Sequence, residues 1–135
     1  MSTAEESIPH GNQTAQAFML TSALWFAIAT TFGLLAASYL IAPDFMANIE
    51  YIQFGRMRPM HVNAVLFGFV TPGLLAVAFF YLPRLLKTTL YSEKLGVFSA
   101  VFWNFALAVG EIGVSLGHSQ GREYAELPWT ADILV

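Results

Sequence analysis

The residues Gly55-Arg56-Met57-Arg58-Pro59-Met60-His61-Val62-Asn63 put a histidine and two arginines at the start of a long hydrophobic run. A histidine facing a bilayer is costly, so one found there usually serves a function. Two arginines beside it call for an anionic partner. A haem, with an iron to ligate and propionates to neutralise, meets both demands. On a helix, Met57 and Arg58 lie one turn outward of His61 on its side, with Val65 and Gly68 inward. Gly68 lies seven residues on, about 10 Å along the axis, where a missing side chain would leave room for a flat macrocycle. Arg58 would reach a propionate through its planar fork. Arg56, five residues from His61, points about 140° off it. The competing reading of His61 is an interfacial histidine bonded to a backbone carbonyl or a lipid head group.

A second group of chemistry-bearing residues is Asn104, Glu111, Ser115 and His118. At 100° per residue these fall within about 60° of one another, a polar stripe on one helix face. A charge in mid-membrane is expensive. Glu111 must therefore face protein, water or a partner, or carry a proton. A proton or ion path and simple interhelical hydrogen bonding both fit. The tail Ser119-Gln120-Gly121-Arg122-Glu123-Tyr124-Ala125-Glu126 collects carboxylates that suit a hard cation such as calcium. An ordinary solvated loop has the same composition. Met57 and Met60 read as packing residues, Trp25 as a lipid or core contact and Trp103 as packing; Trp129 suits an interface belt. There is no Ser–His–Asp arrangement, phosphate-binding glycine loop or zinc spacing.

The elements that must hold these residues are legible in the composition. The chain has 135 residues, 56% hydrophobic and 11% charged, against about 25% charged in a soluble domain. The deficit indicates an all-α membrane protein. The net charge of −3 and the lack of a basic block give no sign of nucleic acid. With no cysteine, disulfides, iron–sulfur clusters, thiolate metal sites and c-type haem attachment within the chain are excluded. Residues 1–16 form a polar tail with Glu5 and Glu6. It lacks the basic flank of a secretory signal.

Three apolar spans are expected at about 17–41, 59–82 and 95–117, each long enough for a hydrocarbon core of about 30 Å. β-Barrel strands would alternate, and no alternation is present. Pro43 and Asp44 would close the first span. Pro59 would sit in the first turn of the second and Pro83 would close it. Ser92, with Glu93 and Lys94, would start the third and Gly117 would end it. Arg84, Lys87 and Lys94 make the second loop positive and hence cytoplasmic. The N-terminus is then also inside, with the first loop and the C-terminal tail outside. Ile133-Leu134-Val135 turns apolar again, as a further span would. Three helices in this arrangement read as part of a larger bundle.

With those residues in place, the chain closely resembles the N-terminal part of subunit I of cbb-type cytochrome c oxidases, the C family of haem–copper oxidases. Phe54-Gly55-Arg56-Met57-Arg58-Pro59-Met60-His61-Val62-Asn63-Ala64-Val65 resembles that family's second helix. Thr88-Thr89-Leu90-Tyr91 with Lys94-Leu95 resembles its second loop. Arg122 through Leu127, with Trp129 and Asp132-Ile133-Leu134, resembles the start of its fourth helix. The resemblance covers nearly the whole chain after about residue 16. It implies an all-α bundle of about twelve membrane helices, each satisfying its own backbone in lipid, of which this chain supplies three. It implies a terminal oxidase that reduces oxygen to water while moving protons, with electrons delivered by c-type cytochrome subunits.

By the same resemblance, His61 would be one axial ligand of the low-spin haem b and Arg58 would sit by the propionates. Glu123 would bind the calcium that bridges the propionates of the two haems. The remaining ligands, for the high-spin haem and copper, match no residue here. The chain then reads as a natural split subunit or a fragment without oxidase activity of its own, completed by the rest of the catalytic subunit. His10 and His118 match no family motif, and Glu111 is unusual for the family. Nitric oxide reductase large subunits share a similar second helix and a Gly-Arg-Glu motif, matched here by Gly121-Arg122-Glu123. Two further classes stay open: a non-enzymatic structural membrane subunit, and a homo-oligomeric b-type cytochrome in which His61 from two copies shares one haem.

Overall fold

The structure, a computed structural model, describes residues 12–119 and 127–128. The described elements are all helical. Helix α1 runs Gln13–Ile41. The second long helix has three consecutive parts: α2 (Phe54–Asn63), a π-helical segment (Ala64–Val70) and α3 (Thr71–Leu85). Helix α4 runs Glu93–Ser115. The three long helices have 29, 32 and 23 residues, and about 20 suffice to span a bilayer. The three expected spans are therefore present. α1 packs along all three parts of the second helix and against α4.

Small residues set the close approaches, as expected where lipid competes with side chains for apolar contact. Ala29, Ala64, Ala76 and Ala100 are fully buried between helices. A Cβ at Gly68 would lie 2.5 Å from Trp25 Cγ, and one at Gly96 would lie 2.1 Å from Thr14 Oγ1. Larger residues point away: Leu34, Ile41, Leu74, Leu85 and Phe98 are all exposed.

The helix ends differ from the sequence expectation in instructive ways. α1 starts at Gln13 rather than near residue 17. Its first turn is fixed by α4: the Thr14 amide donates to Glu93 Oε2 at 2.8 Å, and Thr14 Oγ1 donates to the same oxygen at 2.7 Å. The second helix begins at Phe54, so Pro59 lies inside it and not in its first turn. The earlier start is held by Gln53, whose carbonyl accepts the Arg56 and Met57 amides at 2.8 and 2.9 Å. Pro83 does not end the helix either. Arg84 reaches back to the Phe80 carbonyl and covers the Phe80 ring at 3.7 Å, and the chain turns only after Leu85, at Lys87 with φ +50°.

α4 matches expectation at both ends. The Ser92 hydroxyl accepts the Leu95 amide, an N-cap. Gly117, at φ +90°, closes a Schellman motif in which the His118 amide reaches the Gly113 carbonyl and the Gly117 amide reaches Val114.

Candidate functional site

His61 is half-buried on α2 and turned toward α1. Its Nδ1 lies 2.8 Å from the Ala29 carbonyl oxygen. A carbonyl only accepts, so Nδ1 carries the proton and donates. In the neutral ring the Nε2 lone pair is then left for a metal. A ligating histidine almost always ties its other ring nitrogen down in this way, which fixes the tautomer and the ring plane. The ring can approach the helix because residue 33 is glycine. A Cβ there would lie 2.7 Å from His61 Cε1 and 2.8 Å from Nδ1. The cradle is thus two α1 positions one turn apart: the carbonyl of Ala29 and the missing side chain of Gly33.

This cradle replaces the one expected from spacing within the second helix. The room at Gly68 is filled by Trp25, not left for a macrocycle. Trp25 is buried and donates from Nε1 to Asn104 Oδ1 at 2.7 Å. Gly33 could have been suspected from sequence, because an isolated glycine inside a helix usually has a packing or functional reason. Its pairing with His61 could not.

The two arginines are placed differently. Arg58 is exposed in the first half of α2, three residues before His61. Arg56 points elsewhere. Its Nη1 donates to the Ser115 carbonyl at 2.6 Å and its Nη2 pairs with Glu50 at 2.8 Å. It therefore satisfies a carbonyl at the C-terminal end of α4 and ties it to the turn before α2, a role that spacing did not suggest.

The polar stripe of α4 separates into four fates. Asn104 bonds to Trp25 and, through Nδ2, to the Ala100 carbonyl. Ser115 bonds to the Ile112 carbonyl of its own helix. His118 is exposed beyond the helix. Glu111 is buried, and neither carboxyl oxygen has a partner among the described residues. Trp103 donates to the Phe67 carbonyl at 2.8 Å, while Ser22 donates to the Phe69 carbonyl. These bonds occupy carbonyls of the π segment. Met57 and Met60 are core residues, packed with Val114 and Leu127.

Glu123 and His10 lie outside the described residues. Among the described residues no group of three or more metal-binding side chains occurs. Among the described residues, His61 could therefore meet a metal only together with ligands from elsewhere. A haem iron with His61 on one face fits that requirement.

Residues 13–135 match the family model described as Cytochrome C and Quinol oxidase polypeptide I. The whole chain is 32% identical to the Cbb3-type cytochrome c oxidase subunit CcoN1 of Stutzerimonas stutzeri, covering 28% of that protein. Over 118 residues, 85% of the chain, it is 37% identical to the cytochrome c oxidase subunit 1 homolog of Agrobacterium tumefaciens, covering 21% of it. A 95-residue stretch, 65% of the chain, is 43% identical to cytochrome c oxidase subunit 1 of Rhodobacter capsulatus, covering 18% of it. The chain thus spans roughly a fifth to a quarter of the length of these relatives. Three helices able to cross a membrane and a match over nearly the full chain agree: the chain belongs to the Cytochrome C and Quinol oxidase polypeptide I family, the subunit I of haem–copper oxidases.

Proposed function

We propose that this chain is the N-terminal part of subunit I of a cbb-type cytochrome c oxidase, and that His61 supplies one axial ligand of its low-spin haem b. The carrying observation is the bond from His61 Nδ1 to the Ala29 carbonyl, made possible by Gly33. Such a bond presents Nε2 as a ligand with fixed direction. When bound, the haem supplies reversible one-electron transfer at its iron. The residues of this chain orient the ligand ring, exclude side chains from its face and offer Arg58 to the propionates. The second axial ligand, the high-spin haem and the copper belong to the rest of the catalytic subunit. The c-type cytochrome subunits would deliver electrons, and oxygen would be reduced to water with proton pumping. The names of these relatives, all cytochrome c oxidase subunits, support oxygen over nitric oxide as substrate.

The complex would lie in a bacterial inner membrane, with the N-terminus cytoplasmic and the first loop outside. The positive second loop supports this orientation. Glu123 would bind a calcium at the propionates on the outer side.

The test is the visible spectrum of the assembled oxidase carrying His61→Ala. The low-spin haem band should be lost while copper content and subunit assembly persist. A bis-histidine band of wild-type intensity would sink the assignment. Glu123→Ala should lower bound calcium in the same complex, and unchanged metal content would count against that site.

A further inference from the structure

Four polar or charged side chains are buried among the described residues: Thr14, Ser22, Asn63 and Glu111. Thr14 and Ser22 are bonded, to Glu93 and to the Phe69 carbonyl. Asn63 and Glu111 are not. Asn63 is 1% exposed with Nδ2 unpartnered, and Glu111 is 4% exposed with both oxygens unpartnered. A buried polar atom without a partner is destabilising, so these two cases need an explanation.

The two residues share a layer. On α2, Asn63 lies between Met60 and Ala64; on α4, Glu111 lies between Leu107 and Val114. Met60 and Val114 belong to one buried cluster, and Ala64 and Leu107 to the next. Phe32 of α1 borders both clusters. Asn63 and Glu111 therefore occupy the level between two apolar plugs, one on each facing helix. Their chemistry is complementary: an amide donor on one side, two carboxyl oxygens on the other.

Among the described residues no counter-ion is seen to pair with this layer. α1 has no acidic, basic or histidine residue along its length. On α2, His61 is turned to Ala29 and Arg56 to Ser115, while Arg58 is exposed. On α4, Glu93 and Lys94 are at the far end and His118 is exposed beyond the helix. The described residues after Ser119, Leu127 and Pro128, lie against the Met57–Val114 cluster and Gly113. A carboxylate left unpaired in such a place is very expensive, whereas a carboxylic acid offers one O–H donor and keeps an acceptor. A water bridging it to an amide gains the several polar contacts that buried waters require.

We propose that Glu111 and Asn63 form a buried, hydrated proton-holding site between α2 and α4, separate from the haem-ligand residues. The carboxyl oxygen takes a proton from hydronium delivered through bound water, forming an O–H bond and leaving water. It returns the proton by the reverse step. Asn63 Nδ2 donates to the bridging water and sets its position. The site deepens the oxidase reading, because a complex that moves protons needs groups that hold one inside the membrane, and it rests on that reading for its purpose.

The test is infrared spectroscopy of the purified oxidase complex in H2O and in D2O. A protonated-carboxyl C=O band is expected that shifts in D2O, disappears in Glu111→Gln and changes frequency in Asn63→Leu. Thermal midpoints of the same samples establish that each variant is folded. A spectrum unchanged by Glu111→Gln, or a band indifferent to D2O, overturns the site. A band unmoved by Asn63→Leu overturns the role of Asn63. The haem band is read in the same samples, so failure of the His61 assignment shows separately from failure of this one.

Discussion

At the scale of the residue, His61 is defined by what α1 does around it. The Ala29 carbonyl selects the tautomer and Gly33 makes the space. Gly33→Ala should therefore act on the histidine without touching it in sequence. The added Cβ would lie 2.7 Å from Cε1, and the ring must tilt or leave its carbonyl. Losing this kind of orienting contact costs about tenfold or more in metal affinity. The measurement is haem retention and reduction potential of the assembled oxidase. Gly55→Ala is the control, since nothing lies within 4 Å of a Cβ there. Equal behaviour of the two variants would remove Gly33 from the site. The type and depth of His61 were readable in the chain. Its cradle was not, because Ala29 and Gly33 are 32 and 28 residues away and look like ordinary span residues.

At the scale of the element, side chains from neighbouring helices decide where each helix starts and stops. Thr14 is buried, and its bonds to Glu93 join the first turn of α1 to the first turn of α4. Thr14→Val removes a charge-assisted bond and should cost about 2 kcal/mol. Ser92→Ala removes an exposed cap and should cost about 1 kcal/mol. Thermal midpoints of the complex should therefore fall further for Thr14→Val. The reverse order would show that the contact between the two helices contributes little. Ser92 and Gly117 were legible as the ends of α4 because capping is local chemistry. Pro59 and Pro83 misled as boundaries because the partners that carry the helix past them, the Gln53 carbonyl and the Arg84 side chain, are set by the folded loop and ring packing. The π segment Ala64–Val70 also left no mark in the sequence. Its carbonyls are served by Trp103 of α4 and Ser22 of α1, partners known only after packing.

At the scale of the whole molecule, three apolar helices expose large side chains over much of their surface. Lipid and the remaining helices of an oxidase bundle are the surroundings this suits. The orientation argument gives a direct prediction. The chain has no cysteine, so single cysteines report cleanly. Lys87→Cys should react with a membrane-impermeant thiol reagent only from the cytoplasmic side, and Ala47→Cys only from outside. Labelling with the sides exchanged would invert the topology and place Arg58 and the tail inside. The sequence by itself determined the spans and the α class, since bilayer thickness and the cost of polar groups in lipid act on residue type and length alone, and its motifs carried the likeness to the family. Only the tertiary structure decided that Gly33 rather than Gly68 makes room for His61, that Arg56 holds the end of α4, and that Asn63 and Glu111 are buried with polar atoms unpartnered. Those are contacts between helices. In a membrane, where most faces are apolar, nothing in the residue types of one helix reveals which neighbour it will meet.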